Sequence, residues 1–300
     1  MEILETFLSY RGLKTYVKIA NPRGKNIPLL CLHGGPGSTH NSLELLFPLA
    51  ERSDRPVILY DQIGCGLSSL PDNHPDLYQK DFWLGEFENL RQKLHLRRFH
   101  LLGHSWGGML AQLYLTSKHR RGVVSVTLSS TLCSASQWRE ETHRLAKKLS
   151  QADQEVIENA ETSGDYHNEP FHQVSQRYLK LTVSDFDKND PRVPECLRRE
   201  KRSGIVAYET AWGPSEFTPL GNLRNYDTRP SLNTIHCPAL ICYGSEDEST
   251  LLQNQTMYEK IGSKKKLLYE FRGARHMTYF EANEEYLNLL NGWLKENDPR

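Results

Sequence analysis

The 300-residue chain has no excess charge of either sign and no long apolar run. Lys and Arg together number 37, and so do Asp and Glu, so the formal net charge is zero. Proteins that bind nucleic acid usually carry a basic excess or a basic stripe, and we therefore predict no nucleic-acid partner. No stretch approaches the roughly 18 apolar residues of a membrane-spanning helix, so we also predict no membrane partner.

Paired cysteines and a targeting signal are lacking as well. The six cysteines are scattered and form no Cys-x-x-Cys pair, which predicts neither a disulfide framework nor a zinc site. The N-terminal segment "MEILETFLSYRG" is acidic and has no long apolar core, unlike a signal peptide. We therefore expect a cytoplasmic protein with no metal and no organic cofactor. Its oligomeric state is not visible in the sequence.

Short apolar runs alternate with amphipathic helical patterns in two parts of the chain. Such runs predict buried parallel strands, and they occur at 27–33, 56–61, 98–104, 122–130, 238–244 and 265–273. Between the two parts the chain is polar, helical and free of strong strand patterns. We therefore predict an α/β fold with a mostly parallel sheet flanked by helices. Residues 131–231 would form an inserted helical cap, and residues 1–130 and 232–300 would form the core.

The sequence "GHSWG" at residues 103–107 fits the pattern Gly-x-Ser-x-Gly. It lies between the predicted strand 98–104 and a predicted helix at 107–119, which is the setting of a nucleophile elbow. Glycines are expected on both sides because a side chain there would collide with a neighbouring strand or helix. We predict that Ser105 stands at the apex as a nucleophile, close to the N-terminal amides of the helix.

A serine hydroxyl becomes a good nucleophile only when a base removes its proton. The base is expected to be a histidine oriented by a carboxylate, in the chain order serine, acid, histidine. Asp247 and His276 each follow a predicted strand and would meet at the same edge of the sheet. We predict that these two residues complete a catalytic triad. Glu246 and Glu248 flank Asp247 and are the less favoured choices for the carboxylate.

Acyl transfer also needs hydrogen-bond donors for the oxyanion of the tetrahedral intermediate. One donor is expected from the residue after the nucleophile, Trp106, and the other from an earlier glycine-rich loop. The segment "HGGPG" at residues 33–37 follows a buried strand, and Gly35 is the expected donor in it. We expect His33 to support this loop and His104 to point away from the nucleophile across the elbow.

Three motifs, together with the late Asp247 and His276, resemble those of a known family. "HGGPG", "YDQIGCGLS" at 60–68 and "GHSWGG" are similar to α/β-hydrolases of the proline iminopeptidase family, nearest the branch of the tricorn-interacting aminopeptidase. Family-like features run from about residue 8 to residue 297. The resemblance implies an α/β-hydrolase fold and release of N-terminal residues, often proline, from short peptides with a free N-terminus.

The resemblance also implies how the substrate is held. Family members bind its α-amino group with one cap glutamate and one glutamate next to the catalytic aspartate, and Glu216 and Glu248 match these positions. Two carboxylates supply the paired charge that a partly buried ammonium needs. The segment 208–217 is expected to line the pocket. The sequence departs at Ile63, where relatives commonly carry arginine, which leaves the bracing of the "HGGPG" loop open, and at Ala274 before His276.

Two other functions are compatible with these residues. An esterase, a lactonase or an amino-acid amidase would use the same triad, and the glutamates would distinguish an aminopeptidase from them. A hydrolase-fold protein without activity would act as a ligand sensor. The intact triad argues against the sensor, and we therefore expect a serine aminopeptidase that works through an acyl-enzyme.

Overall fold

The computed structural model describes residues 1–71, 77–118, 120–199 and 204–299. Within these ranges eight strands form one sheet. The strands are β1 (Ile3–Tyr10), β2 (Leu13–Ala20), β3 (Leu29–Leu32), β4 (Val57–Asp61), β5 (Phe99–His104), β6 (Val123–Ser129), β7 (Ala239–Gly244) and β8 (Lys266–Phe271). The α-helices are α1 (Pro48–Arg52), α2 (Lys80–Lys93), α3 (Trp106–Thr116), α4 (Ala135–Ala146), α5 (Gln151–Ser163), α6 (Glu169–Thr182), α7 (Glu195–Arg198), α8 (Ile205–Ala211), α9 (Leu251–Lys260), α10 (Thr278–Glu281) and α11 (Asn283–Asn297).

The sheet is mostly parallel, as predicted. Its strand order is β1-β2-β4-β3-β5-β6-β7-β8. The six strands β4, β3, β5, β6, β7 and β8, which are neighbours in this order, pair in parallel. By contrast, β2 pairs antiparallel with both β1 and β4. Parallel neighbours need crossover connections, and helices supply them between successive strands. The carboxyl ends of β3 and β5 to β8 therefore lie along one edge of the sheet.

The antiparallel hairpin of β1 and β2 was not predicted. Two residues join its strands, Arg11 and Gly12, and both have positive φ angles, of 48° and 80°. Two-residue hairpin loops favour this conformation because it matches the twist of the flanking strands. The dipeptide Arg-Gly between two runs of alternating residues was the signal that could have revealed the hairpin.

The central strands are buried on both faces, which explains their continuous apolar runs. Along β3, Leu30 and Leu32 pack into one hydrophobic core while Leu29 and Cys31 pack into another on the opposite face. Because side chains alternate along a strand, helices must cover both faces of the sheet. Because both faces of the sheet are covered, a functional site is expected at the edge where the strands have their carboxyl ends.

Helices α4 to α8 lie between β6 and β7, within the segment predicted as a cap. They have a small hydrophobic core of their own, which includes Ile157, Phe171, Val174, Tyr178 and Phe217. The boundaries 131 and 231 remain a prediction, and residues 200–203 of that segment lie outside the described residues. So does residue 119, the last of the predicted helix 107–119. None of the helices in the described ranges is long and apolar enough to cross a membrane.

Candidate active site

Ser105 occupies a sharp turn between β5 and α3. Its φ of 55° and ψ of −123° are rarely adopted by residues with a side chain. The turn is possible because its neighbours are glycines. A Cβ on Gly103 would collide with the backbone of Gly107, and a Cβ on Gly107 would collide with the backbone of Leu32. This geometry is that of a nucleophile elbow, with Ser105 directly before the first residue of α3.

His276 and Asp247 form a buried hydrogen-bonded pair. His276 Nδ1 lies 2.7 Å from Asp247 Oδ1. The carboxylate is held in place because it also accepts hydrogen bonds from the backbone N–H groups of Ser249, at 2.8 Å, and Gly244, at 3.4 Å. An ionised carboxylate only accepts hydrogen bonds, so Nδ1 donates and Nε2 is left as the basic nitrogen of the neutral imidazole.

Ser105 and His276 line the same cavity, which has a volume of about 380 Å³. The backbone N–H of His276 donates to the carbonyl of Thr182, at the end of α6, at 3.0 Å, so the helices above the sheet help to place the imidazole. The Ser105 hydroxyl makes no hydrogen bond to any residue that the structure describes. It is therefore free to rotate toward a base, and catalytic hydrogen bonds often tighten only when substrate binds.

Asp247, Glu248 and Glu246 differ in how close their carboxylates lie to the imidazole of His276. The Asp247 carboxylate touches His276 directly, whereas Glu248 Oε1 lies 3.8 Å from the same nitrogen. The Glu246 side chain is 52% exposed and lies 3.8 Å from the ammonium of Lys148. Of these three acids, Asp247 has the only geometry that orients the imidazole.

The "HGGPG" loop packs against the elbow. Gly34 and Gly35 line the cavity, and a Cβ on Gly34 would lie 3.0 Å from the Ser105 Cβ. Trp106 is the first residue of α3, so its backbone amide has no partner within the helix. The backbone amide of Trp106 is thus unused by the helix and next to Ser105 in the chain, and Gly35, which lines the cavity, remains the predicted second oxyanion donor.

The "HGGPG" loop is braced by Gln62. The sequence had left this bracing open because Ile63 departs from the family pattern. The His33 imidazole accepts from the Gln62 backbone N–H at 3.0 Å, and the Gln62 side-chain amide donates to the His33 carbonyl at 3.1 Å. The same Gln62 side chain accepts from the indole N–H of Trp106 at 2.6 Å. One side chain therefore joins the loop to the elbow, and His33 supports the loop as predicted. Ile63 is buried in the hydrophobic core.

The expectation for His104 was wrong. Its side chain lines the cavity, and its ring centroid lies 4.7 Å from that of His276. The positive φ at Ser105 breaks the alternation of side chains that the strand pattern implied. Burial holds the pKa of His104 well below its usual value, and a positive charge on His276 when that imidazole is protonated lowers it further. His104 is therefore a neutral ring packed beside the imidazole of His276.

Glu216 and Glu248 are two carboxylates with few partners among the described residues. Glu216 Oε2 accepts from the hydroxyl of Tyr208 at 2.5 Å. Glu248 is 4% exposed, and its Oε2 has no hydrogen-bond partner among the described residues. Burial raises the pKa of Glu216, and burial together with the charges of Glu216 and Asp247 raises the pKa of Glu248 well above its usual value. Neither carboxylate forms an ion pair with a described lysine or arginine.

The cavity wall differs from the expected one. Neither glutamate lines the cavity, and no described residue of 208–217 does. The indole N–H of Trp138 instead donates to the Glu216 carbonyl at 3.0 Å and holds that segment against α4. The cap side of the wall comes from the end of α6, the segment that follows it and α7, through Leu179, Val183, Ser184, Phe186, Lys188, Cys196 and Leu197. The prediction that 208–217 lines the pocket was therefore wrong for this cavity.

The chain is similar to known proteins over nearly its whole length. Residues 27–283 match the family model of the alpha/beta hydrolase fold. Proline iminopeptidase of Lactobacillus helveticus is 45% identical over 298 residues, which cover 99% of this chain and 100% of that protein. Proline iminopeptidase of Clostridioides difficile is 42% identical over 300 residues, again 99% and 100% of the two chains. The crystal structure of proline iminopeptidase from Mycobacterium smegmatis superposes with a TM-score of 0.84 at 26% identity, covering 98% and 99% of the two chains.

Proposed function

The chain belongs to the proline iminopeptidase family of α/β hydrolases, and on that premise we propose that it is a serine aminopeptidase. It releases the N-terminal residue, with proline preferred or among those accepted, from short peptides with a free N-terminus. The reaction passes through an acyl-enzyme on Ser105 and uses no metal or organic cofactor.

Ser105, His276 and Asp247 are the catalytic residues in this proposal. The Ser105 hydroxyl attacks the carbonyl carbon of the first residue while His276 Nε2 takes its proton. The imidazolium then gives that proton to the leaving amine, and water releases the acyl group by the same steps in reverse order. Asp247 keeps the tautomer and stabilises the imidazolium, which its 2.7 Å contact with Nδ1 supports.

The oxyanion of each tetrahedral intermediate would be bound by the backbone amides of Gly35 and Trp106. Donors of this kind are effective because they are oriented before the reaction starts. The hydrogen bonds that Gln62 makes to His33 and to the Trp106 indole keep the loop and the elbow in register. Losing one such donor typically costs about 2.7–4 kcal/mol of transition-state stabilisation.

The observation that carries the aminopeptidase assignment is the pair Glu216 and Glu248. A buried carboxylate without a partner is costly, and Glu248 Oε2 is in that position. A substrate ammonium would neutralise the pair and satisfy this oxygen. Glu248 Oε1 lies 3.8 Å from His276 Nδ1, so an ammonium bound there would be close to the catalytic base. An ester or lactone without an amino group gains nothing from these two carboxylates.

The proposal includes a cytoplasmic location. All six cysteines are free thiols, and burial raises the pKa of Cys31 and of Cys133, the latter to about 12. Thiols of this kind suit a reducing compartment.

A panel of four substrates tests the proposal on wild type and on Ser105→Ala. The substrates are prolyl and alanyl arylamides, N-acetylprolyl arylamide and a simple acetate ester. We expect wild type to hydrolyse the free aminoacyl arylamides, to leave the acetylated one almost untouched, and to label at Ser105 with a fluorophosphonate. Ser105→Ala should lose about 10⁴-fold or more in kcat, because the nucleophile is gone.

Two outcomes would reject the proposal in different ways. Equal hydrolysis of the free and acetylated arylamides would favour an esterase or a general amidase. Folded wild-type protein that neither turns over any of the four substrates nor labels at Ser105 would favour a ligand sensor.

A further inference from the structure

The cavity that Ser105 lines has one positively charged side chain in its wall among the described residues, that of Lys188. It lies on the segment between α6 and α7, and no described carboxylate pairs with it. The acids nearest in sequence each have another partner: Asp185 with Lys180 Nζ at 3.7 Å, Asp187 with the Asn189 backbone N–H at 2.8 Å, and Asp190 with Arg192 at 2.6 Å. The cavity wall therefore carries an unpaired ammonium.

The position of this cavity relative to the glutamates indicates which part of a peptide it receives. This step rests on the proposed function, in which Glu216 and Glu248 hold the α-amino group and Ser105 attacks the first carbonyl. Neither glutamate lines the cavity, whereas Ser105 and His276 do. The chain that follows the scissile bond must then extend into the cavity. Its walls suit that chain, because Leu179 and Phe186 are apolar and Lys188 is cationic.

We infer that Lys188 binds the terminal carboxylate of the leaving peptide and thereby selects very short peptides with a free C-terminus. An ammonium is a point charge that pairs with a carboxylate over a range of geometries, which suits leaving peptides of different sequence. The side chain is exposed at the cavity wall, so its contribution is moderate and sensitive to salt. With the glutamates at the other end, the enzyme would recognise both charged termini of its substrate.

Peptides that differ only at the C-terminus test this inference. The measurement is kcat/KM for Pro-Ala-Ala divided by kcat/KM for its C-terminal amide, at low and at high salt. We expect wild type to favour the free acid by about fivefold to tenfold, which corresponds to about 1–1.4 kcal/mol. Lys188→Met should bring the ratio close to one, Lys188→Glu should bring it below one, and Lys188→Arg should retain the preference.

Lys180→Met is the matched control. It removes a neighbouring positive charge that does not line the cavity, so the ratio should stay at the wild-type value. A wild-type ratio near one, or a Lys188→Met ratio equal to that of wild type, would overturn the inference. Turnover of the prolyl arylamide by wild type distinguishes failure of the proposed function from failure of the inferred role of Lys188. If the arylamide is hydrolysed while the ratio is near one, only the role of Lys188 fails, whereas no hydrolysis of the arylamide contradicts the proposed function itself.

Discussion

Among the residues that the structure describes, two groups of buried or half-buried carboxylates differ in how far they are neutralised. In the first, which we call the His40 cluster, Asp61 accepts from the backbone N–H of His40 at 2.7 Å and from its Nδ1 at 2.8 Å. Glu44 lies 3.3 Å from His40 Nε2 and pairs with Lys18 and Arg199 at 2.8 Å each. Both ring nitrogens of His40 face carboxylate oxygens, so the ring is an imidazolium. Three positive charges thus surround two negative ones.

The second group is the pair of Glu216 and Glu248, which bind a tyrosine hydroxyl and form no ion pair with any lysine or arginine that the structure describes. The two groups have opposite effects on carboxyl pKa values. In the His40 cluster burial alone would raise the pKa of Asp61, but its hydrogen bonds and the charge of His40 lower it. In the glutamate pair burial and mutual repulsion raise the pKa of Glu248. We expect the first group to stabilise the fold and the second to lower its stability, and in the proposed function a substrate ammonium neutralises the second group.

The largest expected effect tests the structural role of the His40 cluster. Asp61→Asn should lower the free energy of unfolding by about 3–5 kcal/mol, because it leaves the imidazolium of His40 buried without its main counter-charge. Urea unfolding at neutral pH measures the loss. Asp81→Asn, at an exposed position in the first turn of α2, is the control and should change stability by about 0.5 kcal/mol or less. Equal stability of the two variants would show that the cluster contributes nothing to the fold.

The next effect tests the binding role of the glutamate pair. Glu216→Gln should lower kcat/KM for prolyl arylamide by about 30–150-fold, or about 2–3 kcal/mol, because the ammonium loses one of its two counter-charges. Turnover of an acetate ester should change by less than about threefold, since this substrate has no ammonium. Glu246→Gln removes a neighbouring exposed carboxylate and should leave both activities as in wild type. If ester and arylamide lost activity equally, the pair would have no role in binding the amino group.

The smallest expected effect is a difference in how the free energy of unfolding depends on pH for Glu248 in the glutamate pair and for Asp61 in the His40 cluster. A raised pKa in the folded state makes Glu248 destabilising as pH rises above the ordinary carboxyl value of about 4.3. Glu248→Gln should therefore be as stable as wild type near pH 4 and more stable by about 1–2 kcal/mol at pH 7. Asp61 has a lowered pKa, so its stabilisation is complete above about pH 3.9 and is lost as the pH falls further.

Unfolding curves of wild type, Glu248→Gln and Asp61→Asn between pH 3 and pH 8 would measure both trends. The advantage of Glu248→Gln over wild type should grow with pH, and the deficit of Asp61→Asn should shrink only at the acidic end. A Glu248→Gln variant that is less stable than wild type at pH 7 would mean that Glu248 is part of the structural framework.

Short apolar runs in the sequence were enough to predict the central strands of the sheet. They also placed the three predicted catalytic residues after strands, in the chain order serine, aspartate, histidine. The strands β3 to β7 are fully or largely buried because helices cover both faces of the sheet, so their apolar runs were visible without knowledge of their neighbours. The edge strand β8 is partly exposed and was visible as a shorter apolar run. Ser105, Asp247 and His276 each follow such a strand, and parallel strands bring those positions to one edge. The β1–β2 hairpin was missed because its outer strand is largely exposed and has no continuous apolar run.

Features that depend on side-chain direction were not predictable in the same way. His104 was expected to point away from the elbow, but the backbone reversal at Ser105 places its ring against His276. The segment 208–217 was expected in the cavity wall, but α6 and α7 supply that wall instead. The His40 cluster was not foreseen at all. Its members Lys18, His40 and Arg199 come from distant parts of the chain, and no spacing in the sequence marks them as neighbours.

The amino-acid sequence by itself determined the parallel sheet, the strained serine turn and the order of the three predicted catalytic residues. These features follow from hydrophobic runs and from glycines at positions where a Cβ would collide with backbone. Only the tertiary structure decided which buried charges are neutralised, because pairing depends on distances of a few ångströms between residues far apart in the chain. The same reason explains why two of the charges that we assign to the substrate's termini became recognisable only in three dimensions: Glu248, which pairs with no described lysine or arginine, and Lys188, which pairs with no described carboxylate.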